Sequence, residues 1–135
     1  NSKAELTKAF KQANKIAIAK PELAPYGKAA VDYLKAEDLW DLAKDKLVYG
    51  DNISIATMYV ASGAADIGFT ALSLALSPGI AKETQHLVLN PALYEPIKQR
   101  MVLMKNAPQE VVALYQFMQS PKAQAVLRKF GYQIP

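Results

Sequence analysis

Short apolar runs alternate along this chain with longer stretches in which apolar residues recur three or four positions apart. Residues 15–19, Lys-Ile-Ala-Ile-Ala, are apolar on both faces and are stopped by Lys20 and Pro21, the pattern of a strand buried inside a parallel sheet. Residues 46–50 end on Gly50-Asp51-Asn52, and residues 66–70 follow the turn residues Ser62 and Gly63, so both predict further strands. Between the first two, Ala30, Val31 and Leu34 share a face while Lys28, Asp32 and Lys35 lie off it, which predicts an amphipathic helix over 25–36. A further helical stretch is predicted over 38–44. Between the second and third strands, Ile53, Ala56, Thr57 and Val60 repeat at helical spacing, with Ile55, Met58 and Tyr59 making the other side apolar too. That helix is expected to be covered on most sides. Residues 4–13 predict a helix ahead of the first strand.

Strand, helix, strand, helix, strand in this order is the signature of consecutive right-handed crossovers, so the fold class is α/β with a parallel sheet. Residues 87–89 and 100–105 are expected as additional strands. The end of the chain predicts a helical hairpin: Val111, Leu114, Tyr115 and Met118 share one face, and Ala123, Val126, Leu127 and Phe130 another. Ser120 and Pro121 supply an N-cap followed by proline at the first helical position, and Gly131 a C-terminal stop. The organisation expected is an α/β lobe over about 1–97, then a strand and helical hairpin over about 98–135.

Composition narrows the function classes. At 135 residues and 51% hydrophobic the chain can bury a core as one folded unit. Its apolar runs are far shorter than the roughly 20 residues of a membrane-spanning helix, so no membrane insertion is expected. The opening Asn-Ser-Lys-Ala-Glu has neither an initiating Met nor the sections of a secretory signal, as in a processed or excised chain. Absence of cysteine removes disulfides, thiolate metal sites and thiol nucleophiles. The net charge of +4 comes from Lys and Arg scattered singly among Asp and Glu, which describes a solvated surface and not a nucleic-acid footprint.

In an open parallel sheet, ligands sit beyond the carboxyl ends of the strands, where loops lead into helix N-termini. Three such loops are 21–27, 50–53 and 70–73. Pro25 fits the first helical position of the first, which leaves the amides of Tyr26 and Gly27 as candidate anion donors at the positive end of the helix dipole. In the second, Asn52 or Asp51 would cap the helix and place the Ile53 amide among the open donors. Phosphate, sulfate, molybdate or a carboxylate would satisfy such donors equally. An enzyme is not expected. His86 is the only imidazole and has no partner at a recognisable spacing, Ser54 and Ser73 have no nearby base, and Asp32, Glu37, Asp38 and Asp41 face lysines on helices.

The segment Ile16-Ala-Ile-Ala-Lys-Pro-Glu-Leu-Ala-Pro-Tyr-Gly-Lys-Ala-Ala30 resembles the central part of periplasmic molybdate-binding proteins. Leu47-Val-Tyr-Gly-Asp-Asn-Ile53, Gly63-Ala-Ala-Asp-Ile-Gly-Phe69, Leu72-Ser-Leu-Ala75 and Ser120-Pro-Lys-Ala-Gln-Ala-Val-Leu127 with Phe130-Gly131 follow in the family's order. The resemblance implies the C-terminal portion of a type II periplasmic binding protein fold, truncated and lacking most of the first lobe. It implies capture of molybdate or tungstate in the periplasm and delivery to the membrane permease of an ABC importer, with no cofactor and no directly bound metal, the molybdenum arriving as an oxyanion. By position it makes Tyr26 a donor through its amide and hydroxyl and Ile53 a donor through its amide, with Gly27 and Asn52 shaping the two helix starts. Another branch of the family has a tyrosine where this chain has Ala71, so Ala71 brings no hydroxyl. The family usually has Asn where this chain has Lys20, which sets an ammonium near the cleft. Another oxyanion or small carboxylate as ligand, and an effector-sensing domain of a regulator, are the alternative functions. With half of a two-lobed protein absent, the chain alone is expected to form a homodimer.

Overall fold

A computed structural model describes residues 3–134, which fall within two compact units bounded as Asn1–Ile97 and Lys98–Pro135. The first is an α/β layer built on a three-stranded parallel sheet of order β2-β1-β3, with β1 (Ile16–Ala19) between β2 (Leu47–Gly50) and β3 (Ile67–Gly68). Ahead of β1 runs α1 (Lys3–Gln12). Helices α2 (Pro25–Ala36) and α3 (Trp40–Ala43), with a 3-10 turn at Lys44–Lys46, connect β1 to β2, and α4 (Ile53–Ala61) connects β2 to β3. Two short helices, α5 (Leu72–Ala75) and α6 (Pro78–Glu83), follow.

Every residue of β1 is fully buried, which is why the strand is apolar on both faces. Its alternation sorts two cores. Ile16 packs with Phe10, Leu34, Leu39 and Ala43 from the α1–α3 layer, and Phe69 stacks edge-on against Tyr33 beside them. Ala17 faces the other way, against Ala56 and Ala65, where small side chains let α4 lie close over the strand. Fully burying side chains such as Ile16, Ile18, Leu34 and Leu39 contributes about 1.5–3 kcal/mol each. One tie of another kind holds the sheet's start: the Asp66 carboxylate accepts the amides of Asn14 (2.9 Å) and Lys15 (3.0 Å), linking β3 to the approach to β1.

Four expectations are corrected. Residues 87–89 and 100–105 form no ladder; Val88 and Val102 are exposed, and no strand among the described residues lies alongside to take up their backbone groups, without which β-propensity does not make a strand. The helical stretch over 38–44 starts only at Trp40, because Asp38 adopts a positive φ of 59° outside the helix, and it gives way to the 3-10 turn at Lys44. The third strand is cut to Ile67–Gly68, since it pairs only with Ile16 and Ala17. Helix α4 is buried only at Ala56 and Thr57, while Met58 on its far side is 55% exposed.

In the second unit α7 (Gln109–Met118) and α8 (Pro121–Lys129) make the hairpin. The Ser120 hydroxyl accepts the Ala123 amide, Pro121 opens α8, and Gly131 closes it at a φ of 82° while donating to the Arg128 carbonyl. Ala123 is the buried apolar residue of this unit among those described.

Candidate functional site

The loop after β1 is organised by the backbone of Lys20. Its N–H donates to the Gly50 carbonyl at 2.9 Å, and its own carbonyl accepts from Leu23 (3.1 Å) and Ala24 (2.9 Å), turning the chain into α2. Ala24 is the extended N-cap, with no side-chain bond, and Pro25 opens the helix. Tyr26 follows at the second helical position, half-buried. The Gly27 amide, expected among the open donors, is instead engaged by the Ala24 carbonyl at 3.0 Å. Gly27 acts by its lack of a side chain: a Cβ there would stand 2.1 Å from the Ala19 carbonyl oxygen, so only glycine lets the helix start come this close to the strand end.

At the end of β2, a Cβ on Gly50 would stand 2.7 Å from the Ala56 nitrogen, so this glycine permits the tight turn into α4. Asn52 is the N-cap in extended conformation, its Oδ1 accepting the Ile55 amide at 3.0 Å and its carbonyl the Ala56 amide at 3.2 Å. Ile53 and Ser54 occupy the first two helical positions, whose N–H groups have no intrahelical acceptor. The same turn is fixed from below. The buried Thr57 hydroxyl donates to the Ile53 carbonyl at 2.7 Å and shares a 2.5 Å hydrogen bond with the Thr70 hydroxyl, which also reaches the Ala71 carbonyl at 3.4 Å. The start of α4 is thereby tied to the segment leaving β3.

Beyond β3, Ala71 is buried as the N-cap of the four-residue α5 and offers no side-chain donor, with Ser73 inside that short helix. The strand order brings these loops to one end of the sheet. Ala19 pairs with Gly50 in register, so the chain leaves β1 and β2 at the same level. It crosses from β1 to β2 on one side and returns to β3 on the other, the reversal that opens a crevice at the carboxyl ends of an open parallel sheet.

One residue past that register pair, the Lys20 ammonium meets the Asp51 carboxylate at 2.6 Å. The hydrogen bond and charge of Asp51 hold the Lys20 ammonium above its ordinary pKa. Neither this pair nor the Thr57–Thr70 bond is among the sequence expectations. The pairing register was the available signal, since Lys20 and Asp51 are the residues that follow Ala19 and Gly50. His86 is exposed, and among the described residues no group of His, Asp and Glu is placed to hold a metal ion. Lys28, Lys44 and Lys3 pair with Asp32, Asp41 and Asp38 at the surface, as ordinary solvated charges. No described helix is long and apolar enough to cross a membrane. A groove of about 270 Å³ lies elsewhere, lined by Lys3, Leu6, Tyr33, Glu37, Leu87 and Val88 among others, and shares no residue with these loops.

A family model described as bacterial extracellular solute-binding protein matches residues 1–133. Among curated relatives, the molybdate-binding protein ModA of Rhodobacter capsulatus is 38% identical over 120 residues, covering 87% of this chain and 46% of that protein. The ModA of Azotobacter vinelandii is 37% identical over 119 residues, covering 87% and 47%. The solved structure of the periplasmic molybdate-binding protein of Azotobacter vinelandii superposes with a TM-score of 0.77 at 33% identity, covering 92% of this chain and 55% of that one. The chain thus spans about half the length of the relatives it matches.

Proposed function

The chain belongs to the bacterial extracellular solute-binding protein family, and from that membership we propose that the full-length protein captures molybdate or tungstate in the periplasm and delivers it to the permease of an ABC importer. The ligand is a tetrahedral dianion held by neutral donors: the amide and hydroxyl of Tyr26 at the start of α2 and the amide of Ile53 at the start of α4. Gly27 and Asn52 set those two helix starts, and Ala71 contributes no donor. The remaining donors come from the other half of the full-length protein, and the anion is bound without being transformed.

The observation that carries this reading is the in-register departure of two helix starts from adjacent strand ends. A helix N-terminus presents N–H groups that intrahelical bonding leaves over and a positive dipole end, so two of them on one crevice suit a dianion. Neutral donors also release the anion more readily than a salt bridge would, which a delivery protein requires. The likeness in name and sequence of the molybdate-binding relatives supports molybdate over other tetrahedral anions.

Calorimetric titration of the full-length protein with molybdate, tungstate and sulfate tests the reading. Saturable binding of molybdate and tungstate well ahead of sulfate is the expected result. Tighter binding of a small carboxylate, or heat from none of the three oxyanions, would contradict it.

A further inference from the structure

We propose that Lys20 is an affinity-determining residue of the oxyanion site: by pairing with Asp51 it neutralises a carboxylate that otherwise faces the incoming dianion. This rests on the oxyanion reading above and adds a role to a residue outside the donor set.

The two side chains leave the sheet at one point. Ala19 pairs with Gly50, the Lys20 amide donates to the Gly50 carbonyl at 2.9 Å, and the ammonium then closes on Asp51 Oδ1 at 2.6 Å. Asp51 stands immediately before the N-cap Asn52 and two residues before Ile53, and its side chain is 68% exposed. A bare carboxylate at this place acts against anion binding in two ways. It repels a dianion arriving at the start of α4, and it is itself an anion beside the positive end of that helix, able to turn onto the donors the ligand needs. Lys20 removes both effects by holding the carboxylate in a bond to itself. Glu22 lies near the same ammonium and adds to the negative charge that Lys20 offsets.

Because both partners are substantially exposed, the pair contributes little to folding, and its influence is on the field at the site. That separates it from a structural tie. Removing Lys20 should alter affinity while leaving the melting temperature nearly unchanged.

The test uses the full-length protein titrated with molybdate at low and at high salt, alongside thermal melts. Lys20→Met should weaken molybdate binding about 3- to 10-fold at low salt, as expected for one unit charge acting on a dianion through largely aqueous surroundings. The difference should shrink at high salt, where exposed charges are screened. Lys20→Arg should restore binding, and adding Asp51→Asn to Lys20→Met should return affinity to near wild type. Unchanged low-salt affinity in Lys20→Met would overturn the proposal. A double variant as weak as Lys20→Met alone would also overturn it, by making Lys20 a direct ligand of the anion. A wild-type protein that gives no heat with molybdate would overturn the oxyanion reading itself and this inference with it, whereas binding indifferent to residue 20 overturns this inference alone.

Discussion

Single atoms decide much at the candidate site. Tyr26→Phe removes one hydroxyl and leaves ring and amide, so it should weaken molybdate binding to the full-length protein by about 1–3 kcal/mol if the phenol donates to a charged ligand. Unchanged affinity with a lowered melting temperature would recast Tyr26 as a packing residue. Gly27→Ala acts by a different route. Its Cβ would stand 2.1 Å from a backbone oxygen that cannot rotate away, so the start of α2 must shift. A loss of about 1–3 kcal/mol in urea denaturation is expected, the range for overpacking a tight site. At Asp66 the amides of Lys15 and Asn14 hold the carboxyl below its ordinary value of 3.8. A depressed folded pKa contributes stability above the unfolded value that is lost as pH falls through the lower folded one. Asp66→Asn should therefore lower the urea midpoint at neutral pH, and the gap to wild type should close as the pH drops below 3.8. A gap independent of pH would mean the carboxylate charge plays no part in joining β3 to β1.

At the scale of elements, the start of α4 offers a clean separation of fold from function. Proline is tolerated at the first helical position, so Ile53→Pro removes the N–H while the helix persists. Molybdate affinity should fall by about 1.5–3 kcal/mol, the worth of a hydrogen bond to a charged group. Ile53→Val should do little, since the donor is backbone; the reverse pattern would refute that assignment. Asn52→Ala removes the cap on Ile55 and should cost about 0.5–2 kcal/mol of stability. These elements were legible in the sequence because their chemistry is local: Pro25, Asn52 and Ser120 with Pro121 each begin a helix where they stand. What depended on distant partners was not. Residues 87–89 and 100–105 have strand composition but no neighbouring strand among those described. The Gly27 amide is the local exception: the first turn of α2 tightens so that the Ala24 carbonyl takes it, which residue type alone does not encode. The Lys20–Asp51 pair required the register of β1 against β2, a long-range fact.

On the scale of the whole molecule, each unit leaves large apolar side chains in the open. In Asn1–Ile97 these include Leu87 and Val88; in Lys98–Pro135 they include Val102 at 81% exposure, Met104 at 74%, Leu114, Phe117 and Val126. Apolar surface on this scale seeks cover. The 135-residue chain by itself should accordingly self-associate, read as a mass that rises with concentration in light scattering across a dilution series. A strict monomer at every concentration would contradict this. The same chain spans about half of its molybdate-binding relatives, so with donors from one side only it should bind molybdate far more weakly than the full-length protein. If the starts of α2 and α4 hold an oxyanion, a crystal of the full-length protein grown with molybdate will show where, with the molybdenum revealed by anomalous scattering. One strong peak is expected at the carboxyl end of the sheet, with oxyanion oxygens about 2.7–3.2 Å from the Tyr26 and Ile53 nitrogens. A molybdenum peak away from both helix starts would contradict that placement.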